Sequence, residues 1–346
     1  MRFRMKKRVI SGLMAGLLLG MPAAGWAAGD FASKLDPELV PAFEQSYAMD
    51  LARTGPDFLK QRAAGLVGSP SLPKDEAVEV HDRYIPNGDG TGELRLRIYT
   101  PKETEGPLPC IYWIHGGGGF LFGVPEQNEA QSLRFAREVG AVVVAVDYRL
   151  APEHPYPAPL EDCYAGLRWV FQHGEELGVD TERVAVAGAS AGGNLCAAVT
   201  LLARDRGEFM PAFQMPLYPM LDDRMETPSS REETDPRVWN SDANRYGWHA
   251  YIGDIAGTDA VTPYMAPARE EDLSGLPPAY SCIGTLEPFR DEVIRYMARL
   301  AQAGVPVEFH IYPRAFHAFE AVARGTEYSR QVEDEYVQVL KKALHP

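Results

Sequence analysis

The chain has 346 residues, 45% of them hydrophobic and 24% charged, and a formal net charge of −14. That composition is globular and excludes a disordered chain or a multi-span membrane protein. The length holds one large α/β domain with an accessory layer, or two smaller domains.

Residues 1–28 read as a secretory signal: a basic start, MRFRMKKR, an apolar stretch over 9–20, then MPAAGWAAG, with cleavage expected near Ala27 to Gly29. The apolar run is too short to cross a bilayer comfortably, so an uncleaved anchor is the weaker alternative. The expected mature protein is exported, periplasmic or secreted, with no stable membrane span. Losing Arg2, Arg4, Lys6, Lys7 and Arg8 takes the formal charge from −14 to −19. Such an acidic protein is not suited to nucleic acid or an anionic membrane. Cys110, Cys163, Cys196 and Cys282 lie inside apolar or helical patterns without metal-type spacing and are expected as buried thiols.

Over residues 29–75, prolines 37, 41, 56, 70 and 73 punctuate short amphipathic runs such as 39–51, which predicts a few helices outside the main sheet, the N-terminal half of a helical lid. The main domain then runs over 76–346. Strands at 78–85 and 93–99, the second a strict alternation (ELRLRIY), flank the turn Asn87-Gly88-Asp89-Gly90 and form an antiparallel hairpin at a sheet edge. Continuous apolar runs at 110–114, 141–146, 184–187, 213–217, 279–283 and 307–311 are buried strands, with helical stretches at 131–139, 160–173, 195–203 and 291–303 between them. The pattern is an α/β fold with an open, mostly parallel eight-stranded sheet and helices on both faces. Ligand sites in such sheets lie at the carboxyl ends of the strands. The connection from Asp222 to Pro278 is too long for a simple crossover. Its 222–270 portion carries Trp239, Tyr246, Trp248 and Tyr251 and is expected to be a lid insertion, its aromatics either walling a pocket or packing the lid onto the core.

Three loops at strand ends carry the chemistry. After the strand CIYWI comes His115-Gly116-Gly117-Gly118-Gly119-Phe120, whose consecutive glycines can turn backbone N–H groups toward one point, as an oxyanion hole requires. No GxGxxG register fits, and His115 is expected to brace this loop rather than act as a base. The run VAVAGASAGGN then breaks from strand into Gly188-Ala189-Ser190-Ala191-Gly192 and continues as a helix, the form of a nucleophile elbow presenting Ser190. Its base is expected to be His317, in PRAFHAF beyond the last strand, with His154 and His249 as alternatives. The acid that sets the histidine tautomer is expected after the 279–283 strand. There Glu287 precedes a proline and is favoured, and Asp291, in the first turn of a helix, is the alternative. The order Ser190, Glu287, His317 is that of α/β-hydrolases and not of chymotrypsin-like or subtilisin-like proteases.

From about Pro109 to Phe319 the chain resembles the hormone-sensitive-lipase-like esterases, the α/β-hydrolase branch with an HGGG loop. The likeness includes Asp147-Tyr148-Arg149-Leu150-Ala151-Pro152-Glu153-His154-Pro155-Tyr156-Pro157-Ala158 and Tyr218-Pro219-Met220-Leu221-Asp222-Asp223-Arg224. The resemblance implies oxyanion donors at Gly117, Gly118 and Ala191, or Gly118 and Gly119 if the register is counted from Phe120. It also implies a carboxylesterase or lipase-like serine hydrolase that cleaves small-molecule esters of short to medium acyl chain, without metal or cofactor. Three departures stand out: Ala189 where many relatives have Asp, the fourth glycine, and Glu287-Pro-Phe where Asp-Pro-Leu is common. An amidase or peptidase on the same triad is the rival reading. A non-catalytic binder, like the plant gibberellin receptor, fits poorly because Ser190 and His317 are both kept. A homo-oligomer is compatible with the sequence and not specified by it.

Overall fold

Strands β1 (Val78–Pro86), β2 (Glu93–Pro101), β3 (Leu108–Ile114), β4 (Val142–Asp147), β5 (Val179–Ala189), β6 (Phe213–Leu217), β7 (Ala279–Leu286) and β8 (Val307–Phe316) form one sheet. Their order is β1-β2-β4-β3-β5-β6-β7-β8. This computed structural model describes residues 31–46, 72–102 and 104–345. Residues 1–30, with the expected signal segment, and residues 47–71 of the expected lid lie outside the described residues. The leading hairpin is antiparallel and β2 pairs antiparallel with β4, while every later pair is parallel. The apolar runs of β3, β4 and β5 are buried on both faces, which is why they read as continuous rather than alternating.

The longer helices are α1 (Ala158–Gln172), α2 (Ala191–Arg206), α3 (Ser241–Ile252), α4 (Arg290–Gln302) and α5 (Glu327–Leu344). Helix α2 is buried from Ala191 to Ala203, so its small residues set how near it comes to the sheet. A Cβ on Gly192 would lie 2.1 Å from the Ile114 carbonyl oxygen and 2.5 Å from that of His115, and only glycine fits there. The four cysteines are buried and free.

Several expected bounds shift. β8 runs five residues past Ile311, because it is the edge strand and the missing N–H of Pro313 breaks no ladder. Arg314 then takes φ 59°, the register with β7 shifts, and pairing resumes at Leu286 with Phe316. His317 therefore leaves the strand end directly instead of sitting out in a loop. β5 also starts earlier, at Val179, which pairs with Leu108. The helix expected at 131–139 is an α-helical turn, Glu129–Arg134, followed by a wider π-helical turn, Phe135–Gly140.

Between β6 and β7, α3 is the longest helix, and the Asn240 side chain caps it by accepting from the Asp242 and Ala243 amides. Trp248 and Tyr251 are buried, and the Tyr251 ring stacks on Phe120 of the glycine loop at 3.8 Å. At the N-terminal side, short helices Phe31–Lys34 and Val40–Gln45 lie against the end of β8. Asp36 N–H donates to the Arg314 carbonyl at 2.9 Å, and the Phe43 ring lies 6.4 Å from Phe316. The Arg237 guanidinium sits 4.0 Å from the Phe43 ring centre, joining this segment to the 222–270 region. Among the described residues no helix is long and apolar enough to cross a membrane.

Candidate active site

β5 ends at Ala189 and α2 begins at Ala191, which leaves Ser190 to make the whole turn at φ 57°, ψ −117°. A non-glycine residue held there stores roughly 1–3 kcal/mol of strain, so its surroundings must fix it. Ser190 N–H donates to the Leu217 carbonyl at 3.0 Å, and the Ser190 carbonyl accepts from Asn194 N–H (3.0 Å) and Met220 N–H (3.3 Å). The Asn194 amide donates to the Met220 and Met265 carbonyls at 2.7 and 3.1 Å. These bonds brace the elbow from the β6 side, where Ala189 offers no carboxylate.

The structure brings Ser190, His317 and Glu287 into one hydrogen-bonded row. Ser190 Oγ lies 2.9 Å from His317 Nε2, and His317 Nδ1 lies 2.5 Å from Glu287 Oε2. Glu287 Oε1 accepts from Gly284 N–H at 3.1 Å, so both carboxylate oxygens are engaged. With Nδ1–H donating to the carboxylate, Nε2 presents its lone pair to the serine hydroxyl. The Glu287 side chain is 1% exposed and that of His317 8%, a dry setting in which charge interactions are strong. Tyr218 and Phe289 meet the imidazole edge-on, each at 5.1 Å, and Trp239 approaches to 6.4 Å.

The alternatives lie elsewhere. Asp291 accepts from Ser229 N–H at 2.9 Å and from Arg290 Nε at 2.8 Å. Burial pushes its carboxyl up, but Arg290 and Ser229 outweigh that and hold it below the usual carboxylate range. His154 is exposed in its proline-rich loop, and His249 is exposed on α3 beside Asp254, 3.5 Å away.

Across from the elbow, His115 is buried and braces the glycine loop. Its ring stacks on Tyr148 at 4.3 Å, its Nδ1 lies 2.9 Å from the Gly116 carbonyl, and Tyr148 donates its hydroxyl to the His115 carbonyl at 2.9 Å. Burial lowers its affinity for a proton, which keeps the ring neutral. A Cβ on Gly116 would lie 3.3 Å from the Ser190 Cβ, so this loop directly abuts the serine. The Gly117 carbonyl turns inward to accept from Leu121 and Phe122 N–H at 3.0 and 3.2 Å. Among the described residues, the N–H groups of Gly117, Gly118 and Gly119 donate to no backbone carbonyl. As first residue of α2, Ala191 has an N–H with no intrahelical acceptor. Gly119 packs on Gly247 and Trp239 of the β6–β7 connection.

Two buried carboxyl groups escaped sequence reasoning. Glu292 accepts from Leu221 and Asp222 N–H at 2.7 and 3.3 Å, and burial pushes it well above the usual range. Glu320 accepts the Tyr218 hydroxyl at 2.5 Å, and burial pushes it up to about 7. For Glu320 the available signal was a carboxylate set among apolar residues, HAFEAV, whereas Glu292 follows Arg290 and Asp291 and carries no such signal. The Asp147–Ala158 signature is scaffold: Arg149 grips Asp162 through Nε and Nη2, each at 2.8 Å, and Asp162 also accepts from Gly88 N–H.

Comparison with known proteins agrees with this fold. A family model described as the alpha/beta hydrolase fold matches residues 111–321. The chain is 37% identical over 294 residues to esterase LipI of Mycobacterium tuberculosis, covering 84% of this chain and 89% of that protein. It is 35% identical over 315 residues to carboxylesterase NlhH of the same organism, covering 90% and 97%. Among solved structures, a bacterial heroin esterase superposes with a TM-score of 0.83 at 39% identity, covering 90% of this chain and 98% of that one.

Proposed function

Because the chain belongs to the hormone-sensitive-lipase-like esterases of the α/β-hydrolase superfamily, we propose that it cleaves carboxylic esters of short to medium acyl chain through Ser190, His317 and Glu287. One observation carries this: the unbroken row from Ser190 Oγ to His317 to Glu287, at 2.9 and 2.5 Å, beside glycine-loop N–H groups that donate to no backbone carbonyl among the described residues.

His317 Nε2 takes the hydroxyl proton as Ser190 Oγ attacks the ester carbonyl, and Glu287 stabilises the imidazolium that forms. Gly117, Gly118 and Ala191 N–H hold the oxyanion. The imidazolium returns its proton to the departing alcohol. Water, deprotonated by the same nitrogen, then releases the acid and restores Ser190. An imidazole must be neutral to act as base, so turnover falls below about pH 6–7. No metal or cofactor takes part in these steps. In the same reading the N-terminal segment and the 222–270 insertion form a lid over the site, which the Phe43–Phe316 and Arg237–Phe43 contacts support. The enzyme is exported before it acts, its signal read from the first 28 residues.

Purified Ser190→Ala tests this directly. Hydrolysis of p-nitrophenyl butyrate is expected to fall by about 10⁴–10⁶ in kcat, and fluorophosphonate labelling to vanish, in a variant that melts like the wild type. Retained turnover rejects the assignment.

A further inference from the structure

Glu320 is a carboxyl group with no part in the mechanism above, yet it bonds the tyrosine whose ring packs against the catalytic histidine. It lies one turn past His317 and is only 4% exposed. Its Oε1 accepts the Tyr218 hydroxyl at 2.5 Å, and the ring of that tyrosine meets the His317 imidazole edge-on at 5.1 Å and 83°. Its Oε2 is buried without a hydrogen-bond partner among the described residues. Tyr218 is itself under constraint. Its backbone sits at φ 33°, where a side chain is disfavoured, and its N–H donates to the Cys282 carbonyl at 3.0 Å. If packing alone were needed, Phe at 218 and Leu or Met at 320 would do better, since burying a carboxyl with one unpartnered oxygen is costly.

We propose that Glu320, acting through Tyr218, is a positioning residue of the active site: it pins the ring that orients His317 and sets a carboxylate charge near the imidazole. The proposal rests on the serine-hydrolase reading above. During acylation the imidazole becomes imidazolium, and a second negative charge nearby stabilises it as the proton arrives. Against the upward push of burial, the nearby His317 draws the Glu320 carboxyl down. The other titratable or charged groups facing Glu320 are Tyr218, Cys282 in β7, Tyr336 and Glu333 in α5, and, across a cavity of about 230 Å³, Arg134 and Arg324. Burial holds Tyr218, Cys282 and Tyr336 in their neutral forms. Burial pushes Glu320 up to about 7, so the charge near the histidine is set by Glu320 as pH rises through that value, with Glu333 beyond it, itself pushed up by burial and opposed by Arg134 and Arg324.

The test measures kcat and KM for p-nitrophenyl butyrate from pH 5 to 9 on the full chain. It compares wild type, Glu320→Gln, Tyr218→Phe and the double variant, each with thermal melting and fluorophosphonate labelling. Gln keeps the shape and can still accept from Tyr218, but it carries no charge. Expected for Glu320→Gln is a loss of about five- to thirtyfold in kcat with KM within about twofold, and an acid limb moved to lower pH by about half a pH unit. Tyr218→Phe should lower kcat similarly, and the double variant should be no worse than the poorer single one, because the two residues act as a unit. A folded, labelled Glu320→Gln enzyme whose profile superimposes on wild type overturns the proposal. So does a kcat loss that follows the melting temperature while the acid limb stays put. If Glu320→Gln does not fold, Tyr218→Phe decides by the same two readouts. Wild type that neither labels nor turns over ester overturns the hydrolase reading as well, whereas active wild type with unmoved variants removes only Glu320.

Discussion

Ser190, Glu287 and His317 stand where β5, β7 and β8 run out, and each is aimed by backbone that the sheet already fixes. The connection from β6 to β7, the proposed cover of the site, is built differently. Apart from α3 it has little regular structure, and side chains hold it down. Asp223, fully buried, takes Arg269 through both oxygens at 2.6 and 2.8 Å and also accepts from Gly257 N–H at 2.6 Å. Glu292 ties the start of the connection to α4 through Leu221 and Asp222. A hydrogen-bonded ladder positions catalytic atoms to fractions of an ångström, whereas ion pairs on irregular chain fix a cover without aiming it. Substitutions in the first region should therefore change rate more than stability, and substitutions in the second should do the reverse.

The acid position offers the sharpest contrast, since two carboxylates four residues apart fall on opposite sides of that divide. Glu287→Gln keeps the side-chain volume but cannot hold the histidine tautomer, and kcat is expected to drop on the order of 10²–10⁴. Asp291→Asn loses charge toward Arg290 and the Ser229 N–H, at the foot of the cover. Its kcat should stay within about threefold of wild type while stability falls by about 1–2 kcal/mol. Paired measurements of kcat and urea midpoint check both, and an inactive Asp291→Asn beside an active Glu287→Gln would reverse the roles.

The same divide decides what the sequence reveals. β3, β4 and β5 are legible because strands buried on both faces must be continuous apolar runs, and Ser190 is legible because the turn needs glycines around one serine. Strand order points to the loops of His317 and Glu287, and the proline after Glu287 favours it over Asp291. The end of β8 is hidden, because Pro313 and Arg314 look like a loop and only the edge position and the register shift let the strand go on. Asn194, Tyr218, Glu292 and Glu320 are hidden more deeply: each acts on a residue between 26 and 102 positions away, or closer only through a fold already formed. In the cover, the aromatic residues stand out in sequence but their tasks do not. Trp248 and Tyr251 pack on or near Phe120, while Trp239 reaches toward His317.

Arg269→Ala tests the cover in isolation. It strips Asp223 of its bidentate partner and leaves a buried carboxylate facing only the Gly257 N–H and its neighbours. Breaking a buried pair from one side costs about 3–5 kcal/mol, so the urea midpoint should fall strongly. Protein that remains folded should keep its kcat within a few-fold, because no catalytic atom leans on the pair. An unchanged midpoint would mean that the cover is held by its apolar contacts instead.

The smallest effect bears on why the sheet-borne site is not simply the more stable region. Ser190 sits in a strained turn, and Glu320 is a buried acid whose proton is held up to about 7 in the folded chain, against an ordinary value of 4.5. The sign follows from proton binding. As pH rises through 4.5 the unfolded chain releases this proton and the folded chain keeps it, so stability is lost from about pH 4.5 until pH 7 and then levels off. Glu233, pushed up to about 7 by burial, adds a contribution of the same sign that solvent screening diminishes. For Glu320 the full interval corresponds to roughly 3 kcal/mol, an upper bound. Glu320→Gln, which does not titrate, should therefore gain on wild type by about 1–3 kcal/mol between pH 5 and pH 8, read from urea midpoints at the two pH values. Parallel curves would mean that the folded protein tolerates the charge at no cost. A gain in stability joined to a slower enzyme would place Glu320 with Ser190, among groups kept for rate at the expense of stability.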